Sequence, residues 1–488
     1  MCSALTLLAA CHATVRPVPP AFPALPAVAS LQRDIDAILA APSLEHGYWG
    51  VLVKSLKSAD TLYERDARKL MMPASNMKIV TLAAAAEKLG WDYTYVTNVF
   101  AAGPIEDGML RGDLVVVGSG DPSIISAEAE ALFGDWAERL KRVGVRTVAG
   151  RVVGDDRAFD DIGLGFGWSW DDLPDDYAAG VSALQFNENA VRVSVTPGPA
   201  AGESAGVSIS PSGSGLAIVS AVTTAAAGSA TSIGARRLPG SMRLALHGTI
   251  AAGAAPATLT VSVENPTLFF ATALRDALIA HGLDIRGPAV AVGDIRDPPA
   301  HAPAPIAAHR SPPLSTLAVR LMKASQNLYA ETLLKTLSAR GAGRPADAES
   351  GRKEAAAALA PWGIDAGALI QRDGSGLSRY DYVTADALVA ILAHVDRDDR
   401  LRTPFEAALP IAGRDGTLAS RMKGTPAEGN ARAKTGSMSN VRALSGYVTS
   451  ASGEPLVFSV LANNFDAPAE TISRTEDAIV VRLASFTR

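Results

Sequence analysis

Cysteine and clustered histidine are scarce in this chain of 488 residues. Its two cysteines, Cys2 and Cys11, lie within the first dozen positions, so the rest of the sequence can form no disulfide and no cysteine-based metal site. Its seven histidines are scattered, and none stands in an H-x-x-x-H or H-E-x-x-H pattern, which argues against zinc. We therefore predict chemistry that uses neither a metal nor a cofactor.

Long runs of one charge are also missing. The formal net charge is −5, and lysine and arginine are spread along the chain, which excludes the basic footprint of a nucleic-acid-binding protein. Hydrophobic residues make up 48% and charged residues 19%, an ordinary globular composition. Because 488 residues exceed the usual size of a single core, we expect two or three domains.

The first residues are apolar and end in Leu8-Ala9-Ala10-Cys11. This stretch resembles a bacterial lipoprotein signal, although it lacks a basic start and is too short to span a bilayer. Five prolines between residues 16 and 27 suit an extended spacer behind a membrane anchor. We expect export to the periplasm or cell envelope, and two alternatives stay open, a lipidated Cys11 or a leader that is simply cleaved.

The spacing of apolar residues predicts mixed structure at the start of the chain, β-rich structure in the middle and mainly helices at the end. Early elements are a helix at Ser30–Ala40, strands at Tyr48–Ser55 and Thr61–Ala67, and a helix that opens within Pro73–Lys78 and stops at Gly90. Middle elements are strands at Leu114–Val117, Thr147–Val153 and Ala190–Thr196, helices at Phe133–Val143 and Leu268–His281, a mostly β segment over 197–260, and a linker over His301–Pro313. Late elements are helices at Leu314–Ala339, Ser350–Ala360, Ala385–Val395 and Glu470–Phe486, and strands at Val441–Thr449 and Leu456–Ala462.

Three short motifs of serine acyl-transferases that use lysine as base occur in order. S-x-x-K has three copies, whereas S-x-N and K-T-G occur once each; the copies are Ser75–Lys78, Ser350–Lys353 and Ser420–Lys423, followed by Ser325-Gln326-Asn327 and Lys434-Thr435-Gly436. Only the first S-x-x-K precedes the other two motifs, and it opens an apolar helix. Each motif alone is better explained as coincidence, but the ordered set favours Ser75 as a nucleophile.

The spacing of these residues fits the chemistry of an activated serine. Positions i and i+3 of a helix share a face, so Lys78 can reach the Ser75 hydroxyl and take its proton. Burial and a second cation, Lys434, would lower the pKa of Lys78 enough for this role. Ser325 would pass a proton to the leaving amine, Asn327 would orient Lys78 or a substrate amide, and Lys434 with Thr435 would hold a substrate carboxylate. An edge strand through Ser437 can pair with a peptide backbone.

Other serine patterns are interpreted as structural. Ser350 is predicted to cap a helix, and Ser420 lies in a glycine-rich loop region. Gly202-Glu203-Ser204-Ala205-Gly206 fits G-x-S-x-G, but that motif needs a strand before it and a helix after it. We predict a flexible loop there instead.

With these motifs, the sequence resembles the low-molecular-mass class C penicillin-binding proteins, the D-alanyl-D-alanine carboxypeptidase/endopeptidases. The likeness extends from about residue 45 to 486 and is carried by further segments: Leu114–Ile124, Met322–Glu331, Asp373–Arg379, Leu409–Arg421, Ala433–Met438 and Ala443–Tyr447. Ser75 and Ser325 are 250 positions apart, which matches a family that carries two nested extra domains in this interval. The middle motif has Gln326 where family members often have Asp or Asn.

The resemblance implies an α+β fold. A penicillin-binding/β-lactamase-like transpeptidase domain, with an antiparallel sheet and helices on both sides, would carry a long nested β-rich insertion. We predict four parts: a leader and spacer over 1–29, a catalytic domain over 30–95 plus 304–488, an inserted domain over 96–183 plus 262–303, and a nested β-rich domain over 184–261.

The resemblance also implies the activity and its partners. The enzyme would hydrolyse peptidoglycan stem peptides and cross-links, binding no nucleic acid, with β-lactam antibiotics as covalent inhibitors. Substrate contacts are expected from Thr435, Gly436, Ser437 and Met438, and an oxyanion hole from the backbone N–H groups of Ser75 and Ser437. Two alternatives stay open: a β-lactamase or esterase on the same scaffold, and a non-catalytic peptidoglycan-binding protein.

Substrate selection is expected from an acidic and a basic residue across the cleft. The resemblance places an acidic residue that binds the side-chain ammonium of the stem-peptide diamino acid within Gly154–Phe159, and we prefer Asp155 to Asp156. Arg379 would bind the carboxylate of the same diamino acid, because a guanidinium matches a carboxylate in a bidentate way.

Overall fold

The computed structural model describes residues 26–339 and 345–488. The chain enters through a helix, two strands and a second helix: α1 (Pro26–Leu39), β1 (Tyr48–Ser55), β2 (Thr61–Arg65) and α2 (Met77–Leu89). Leu31 and Ile35, one helical turn apart, are fully buried and fix the inner face of α1. Helix α2 is buried over most of its length and ends, as predicted, at Gly90, whose φ is 80°.

The middle of the chain is mainly strands, with two long helices. Its elements are β3 (Val96–Ala102), β4 (Ile105–Glu106), β5 (Met109–Leu110), β6 (Asp113–Val117), α3 (Ser126–Arg142), β7 (Thr147–Val148), β8 (Val152–Asp155), β9 (Ala190–Thr196), β10 (Gly206–Ser210), β11 (Ala217–Ser220), β12 (Thr223–Ala225), β13 (Ser232–Arg236), β14 (Arg243–Ala251), β15 (Ala257–Ser262), α4 (Pro266–Ala280), β16 (Asp284–Ile285), β17 (Ala289–Ala291) and β18 (Ala307–Arg310).

The last part returns to helices and then to three long strands. Its elements are α5 (Leu314–Lys323), α6 (Asn327–Ser338), α7 (Ala348–Leu359), β19 (Leu369–Ile370), β20 (Tyr382–Val383), α8 (Ala385–Arg397), α9 (Asp399–Ala408), β21 (Arg432–Met438), β22 (Val441–Thr449), β23 (Pro455–Asn463) and α10 (Ala469–Ala484).

The two ends of the chain build one antiparallel sheet in the order β2-β1-β23-β22-β21. Helices α1 and α10 share one apolar core with it, and α2, α5, α6 and α8 form another. This confirms the predicted α+β fold with helices on both faces of an antiparallel sheet. Strand β21 lies at an edge, so the backbone groups along its outer side have no strand partner within the sheet.

The middle part forms separate sheets. The largest has the order β17-β8-β6-β3-β18, and β9, β10 and β15 make another. Strands β11 to β14 form a further sheet over the segment predicted to be mostly β. These sheets share an apolar core with α3 and α4. The exact boundaries predicted for the inserted domains stay a prediction.

Three local predictions need correction, and one helix was not predicted. The predicted long helix at Leu314–Ala339 is two helices separated at Ser325, and the predicted strand Thr147–Val153 is the separate strands β7 and β8. The predicted linker His301–Pro313 contains β18, which pairs with β3 and so completes the sheet. Helix α9 was not predicted, because its apolar residues are few. Cys2 and Cys11 lie outside the described residues.

Among residues 26–339 and 345–488, we find no helix with both the length and the apolar character needed to cross a membrane.

A buried ion pair ties α10 to the loop before β21. The Arg421 guanidinium donates to Glu476 at 3.0 Å and to Asp477 at 2.9 Å. The Glu476 side chain is fully buried, and burial raises its pKa to about 7 in spite of Arg421. Removing Arg421 would therefore leave a buried carboxyl without its cation.

We expect Arg421→Met to lower the free energy of unfolding by about 3–5 kcal/mol, the usual loss when one partner of a buried pair is removed. The control is Arg474→Met, which breaks an exposed pair with Glu470 in the same helix and should cost about 0–1 kcal/mol. Urea unfolding measures both. Equal effects of the two variants would contradict this account of the ion pair.

Candidate active site

Ser75 stands on a 3-10 turn, Ala74–Asn76, that leads directly into α2. Lys78 follows one turn later, and its Nζ donates a hydrogen bond of 2.9 Å to Ser75 Oγ. The preceding Ala74 is fully buried in the left-handed region, with φ 45°. A strained residue held by close packing at this point fixes the direction of the serine hydroxyl.

Lys78 is fully enclosed and fully coordinated. Besides Ser75, its Nζ donates to Asn327 Oδ1 at 2.6 Å and to the backbone oxygen of Ser375 at 2.8 Å. Burial lowers the pKa of Lys78 to about 7, against the opposing charges of three nearby carboxyl groups. Near neutral pH a large fraction of the side chain is thus a free amine, able to accept a proton.

Lys434 and Ser325 form the second half of the cluster. Lys434 Nζ donates to Ser325 Oγ at 2.8 Å and to the backbone oxygen of Thr435 at 2.7 Å. Burial, and then the charge of Lys78, hold the pKa of Lys434 well below its usual value. Ser325 lies between α5 and α6 with φ 59°, and this left-handed residue interrupts the helix and turns its hydroxyl towards Lys434.

Strand β21 lies against the turn that carries Ser75. A Cβ on Gly436 would lie 2.6 Å from the backbone oxygen of Pro73, so this approach requires glycine. Thr435 Oγ1 donates to Thr417 Oγ1 at 2.7 Å, while Ser437 is exposed and Met438 is half-buried. The K-T-G motif therefore forms a wall of the cleft beside the serine.

Buried carboxyl groups hold the loop that supports Lys78. Glu331 of α6 accepts backbone N–H bonds from Gly374, at 2.9 Å, and from Ser375, at 2.8 Å. Asp373 accepts backbone N–H bonds from Gly376 at 2.6 Å and Ser378 at 2.7 Å. Burial raises the pKa of Glu331 to about 8. The Ser375 carbonyl that receives Lys78 is thus fixed by its neighbours on both sides.

The segment between β8 and β9 reaches into this cluster. Asn327 Nδ2 donates to the backbone oxygen of Tyr177 at 2.7 Å, and Trp168 Nε1 donates to Asp373 at 2.9 Å. The Tyr177 hydroxyl donates to Asp172 at 2.9 Å. Burial raises the pKa of Asp172, and the hydrogen bond from Tyr177 opposes this rise.

Ser75, Lys78, Ser325, Asn327 and Lys434 therefore come together, although they are far apart in the sequence. Asp155 has another partner: its carboxylate is buried at the end of β8 and is paired with Arg157 through bonds of 2.9 and 2.5 Å. This pairing engages both carboxylate oxygens, and the predicted role of Asp155 in binding an ammonium group stays a prediction. Arg379 donates to Asn440 and Ser439 in the turn after β21, each at 3.3 Å.

The other serine patterns have structural surroundings. Ser350 lies inside α7, and the cap of this helix is Asp347, which accepts from the Ser350 N–H at 2.7 Å, so the predicted cap was misplaced by three residues. Ser204 precedes the strand β10 instead of a helix. A nucleophile elbow is thus ruled out there.

The surroundings of the cluster include residues for which the sequence predicted no role: Ser375, Glu331, Asp373, Trp168 and Asp172. The signal that could have found some of them was present, because Asp373–Arg379 and Met322–Glu331 carry part of the family resemblance. A backbone oxygen such as that of Ser375, however, has no signature in sequence.

The site combines a serine that is hydrogen-bonded to a buried lysine of lowered pKa with a second buried lysine on the edge strand of an antiparallel sheet. This combination defines the class of serine-dependent penicillin-binding proteins and β-lactamases. Comparison with known families shows which family of this class the chain belongs to. The model of the D-Ala-D-Ala carboxypeptidase 3 (S13) family matches residues 31–486, and the chain belongs to this family. It is a serine-type peptidase, as predicted.

Relatives support the same placement along nearly the whole chain. The chain is 38% identical over 468 residues to a D-alanyl-D-alanine carboxypeptidase of Actinomadura sp. (strain R39), covering 93% of this chain and 85% of the relative. It is 26% identical over 437 residues to the D-alanyl-D-alanine carboxypeptidase DacB of Haemophilus influenzae, covering 89% and 88%. The crystal structure of penicillin binding protein 4 (dacB) from Haemophilus influenzae superposes with a TM-score of 0.81 at 25% identity, covering 94% of this chain and 99% of that one.

Glu331 supports Lys78 indirectly, because it holds the loop whose Ser375 carbonyl accepts from Lys78. We expect Glu331→Leu to slow acylation by a penicillin about 100-fold, because loss of the acceptor frees the Ser375 carbonyl and displaces Lys78. Glu331→Gln keeps an oxygen acceptor and should restore most of the rate. Stopped-flow or mass-resolved acylation kinetics on folded protein measure both.

The control for this experiment is Glu349→Leu, which removes an exposed carboxylate paired with Lys353 on α7. It should leave the rate unchanged. A folded Glu331→Leu protein that is acylated at the wild-type rate would show that this carboxyl does not position Lys78.

Proposed function

We propose that the enzyme cleaves the terminal D-Ala-D-Ala bond of peptidoglycan stem peptides, and D-Ala-to-diamino-acid cross-links, through an acyl-enzyme at Ser75. The observation that carries the proposal is the 2.9 Å bond between Ser75 Oγ and the Nζ of Lys78, a fully buried lysine whose pKa is lowered to about 7. This pair supplies a nucleophile and its base without a histidine.

The reaction follows from the roles of the clustered groups. Lys78 takes the hydroxyl proton as Ser75 Oγ attacks the carbonyl carbon, and the N–H groups of Ser75 and Ser437 bind the oxyanion. The C–N bond then breaks, and the proton passes through the Ser325 hydroxyl to the departing D-alanine nitrogen. Water attacks the ester in the second half of the reaction, releases the shortened peptide and returns Ser75 to its starting state.

Recognition of the leaving D-alanine uses the wall formed by β21. Its carboxylate lies beside Lys434 and the hydroxyl of Thr435, and the peptide backbone pairs with the open edge near Ser437. Met438, after Ser437, contacts the substrate side chain. Lys434 is held close to Ser325, which passes the proton. Binding of the carboxylate would therefore favour the charged form of Lys434 and orient its Nζ beside Ser325.

β-Lactams would acylate the same serine. A second crystal structure of the Haemophilus influenzae penicillin binding protein 4, which has 23% identity and a TM-score of 0.75, contains a bound β-lactam. The alternative of a β-lactamase or esterase on this scaffold predicts rapid turnover of a chromogenic cephalosporin. The alternative of a non-catalytic binding protein is disfavoured by the intact hydrogen-bonded cluster around Lys78.

We expect intact-protein mass analysis after exposure to penicillin to show one added molecule of drug, and peptide mapping to place it on Ser75. Ser75→Ala should abolish the label, because it removes the hydroxyl that Lys78 contacts at 2.9 Å. The matched variants Ser350→Ala and Ser420→Ala alter the other S-x-x-K copies and should be labelled like wild type. Label at either of those serines would refute the assignment of Ser75.

For the diamino acid of the stem peptide, we propose Asp172 and Arg379 as the anionic and cationic contacts. A zwitterionic head needs one charge of each sign across the cleft. Asp172 and Arg379 carry these charges on two loops that are joined by the hydrogen bond from Trp168 to Asp373. Asp172 accepts from the Tyr177 hydroxyl, and the backbone oxygen of Tyr177 receives Asn327. Asp155, in contrast, is paired with Arg157.

Two peptides test this assignment, one with a free diaminopimelyl amine and one with that amine acetylated. Wild type should prefer the free amine, and Asp172→Asn should lose most of that preference, a change of about tenfold or more in kcat/KM for a hydrogen bond to a charged group. Penicillin acylation should persist. Asp155→Asn is the control, and if it alone abolishes the preference, the original choice of Asp155 is the better one.

We also propose that the enzyme works outside the cytoplasm, tethered through Cys11. The support is the Leu8-Ala9-Ala10-Cys11 stretch with the proline-rich segment behind it. Cys11→Ser should move the protein from the membrane to the soluble fraction of expressing cells, whereas Cys2→Ser, the control, should not. If Cys11→Ser stays equally membrane-bound, lipidation at this position is not the anchor.

A further inference from the structure

Large apolar side chains are exposed on one loop at the mouth of the cleft. Between β8 and β9 and in the neighbouring loop after Asp373, five of them form what we call the mouth ledge: Ile162 (65% exposed), Leu164 (41%), Phe166 (62%), Trp170 (61%) and Tyr380 (54%). Exposed apolar side chains grouped in this way often mark an interaction site.

The ledge is held rigidly against the catalytic part. Lys335 donates to the backbone oxygen of Ile162 at 2.7 Å, and the Trp168 indole donates to Asp373 at 2.9 Å. The rings of Phe166 and Tyr380 pack with centroids 5.6 Å apart. Gly167 has φ 79°, and a Cβ there would lie 2.4 Å from the Tyr380 ring, so glycine is required for this contact. The apolar side chains are therefore displayed from a fixed backbone.

A groove runs beside the ledge. Its volume is about 530 Å³, and the residues that line it include Ile162, Leu164 and Phe166 together with Arg352 and Arg372. The same loop continues to Tyr177, which receives the Asn327 amide. The loop that carries the ledge therefore also contacts the catalytic cluster.

The charge of the loop restricts its occupant. Residues 160–177 include six aspartates and no lysine, arginine or histidine. Such a loop repels nucleic acid and an anionic bilayer. A polysaccharide of N-acetylated sugars fits, because its C–H faces pack on aromatic rings, its hydroxyls donate to carboxylates, and its amide oxygens accept from arginines such as Arg352.

We propose that the mouth ledge binds the glycan strand to which the stem peptide is attached. This inference rests on the proposed function, since a stem peptide in the cleft brings its sugar chain to the surface outside. Phe166 and Trp170 would stack on sugar rings, so that the enzyme favours peptides on glycan over free peptides.

The test compares one stem peptide in two forms, free and attached to a soluble oligosaccharide of several sugar units. Phe166→Ser combined with Trp170→Ser should lower kcat/KM for the glycan-linked form about tenfold, the usual scale for exposed aromatic anchors, and leave the free peptide and penicillin acylation within about twofold. Leu238→Ser is the matched control, because Leu238 is also 65% exposed but lies between β13 and β14.

A second measurement does not need catalysis. In isothermal titration calorimetry, glycan chains stripped of peptide should bind the wild-type protein and the Leu238→Ser control, and not the double variant. Equal binding by the double variant, or no binding by wild type, would overturn the ledge proposal and leave a protein partner as the occupant to examine. If the wild-type enzyme cleaves neither the free nor the glycan-linked peptide, the proposed function is refuted, whatever the binding result.

Discussion

Two lysine side chains, Lys78 and Lys434, are completely buried at one site, and the rest of the structure depends on this arrangement. Burying an ammonium group without a full ion pair is costly, so the proton is held less tightly and the amine becomes a usable base. Each lysine offsets part of the cost through hydrogen bonds, Lys78 to three acceptors and Lys434 to two. Activation of Ser75 is therefore a consequence of burial.

Holding these lysines requires distant parts of the chain. The serine turn, the S-x-N turn and the edge strand β21 come from three regions, and the loop after β8 closes the site through Asn327 and Asp373. Glu331 supports the loop that receives Lys78. The loop after β8 is consequently part of the active site.

The sequence predicted the parts whose cause is local. Helical spacing was sufficient to place Lys78 beside Ser75, and two apolar runs separated by a turn segment were sufficient for β22 and β23. The break at Ser325 was missed, because apolar residues continue on both sides and only the contact with Lys434 shows why the helix stops. The pairing of Asp155 with Arg157 has no signature in the sequence, and the choice of the acidic residue that binds the diamino acid stays a prediction.

The pKa of Lys78 in the resting enzyme is the most direct test of whether burial makes this lysine the base. Lysine labelled with ¹³C at Cε can be titrated by NMR, and the Lys78→Met variant assigns the signal. We predict a midpoint near 7, as burial lowers it, and a return towards the ordinary value of about 10.4 when the protein is unfolded. A Lys78 signal that titrates near that ordinary value in the folded enzyme would contradict the claim that burial makes this lysine the base.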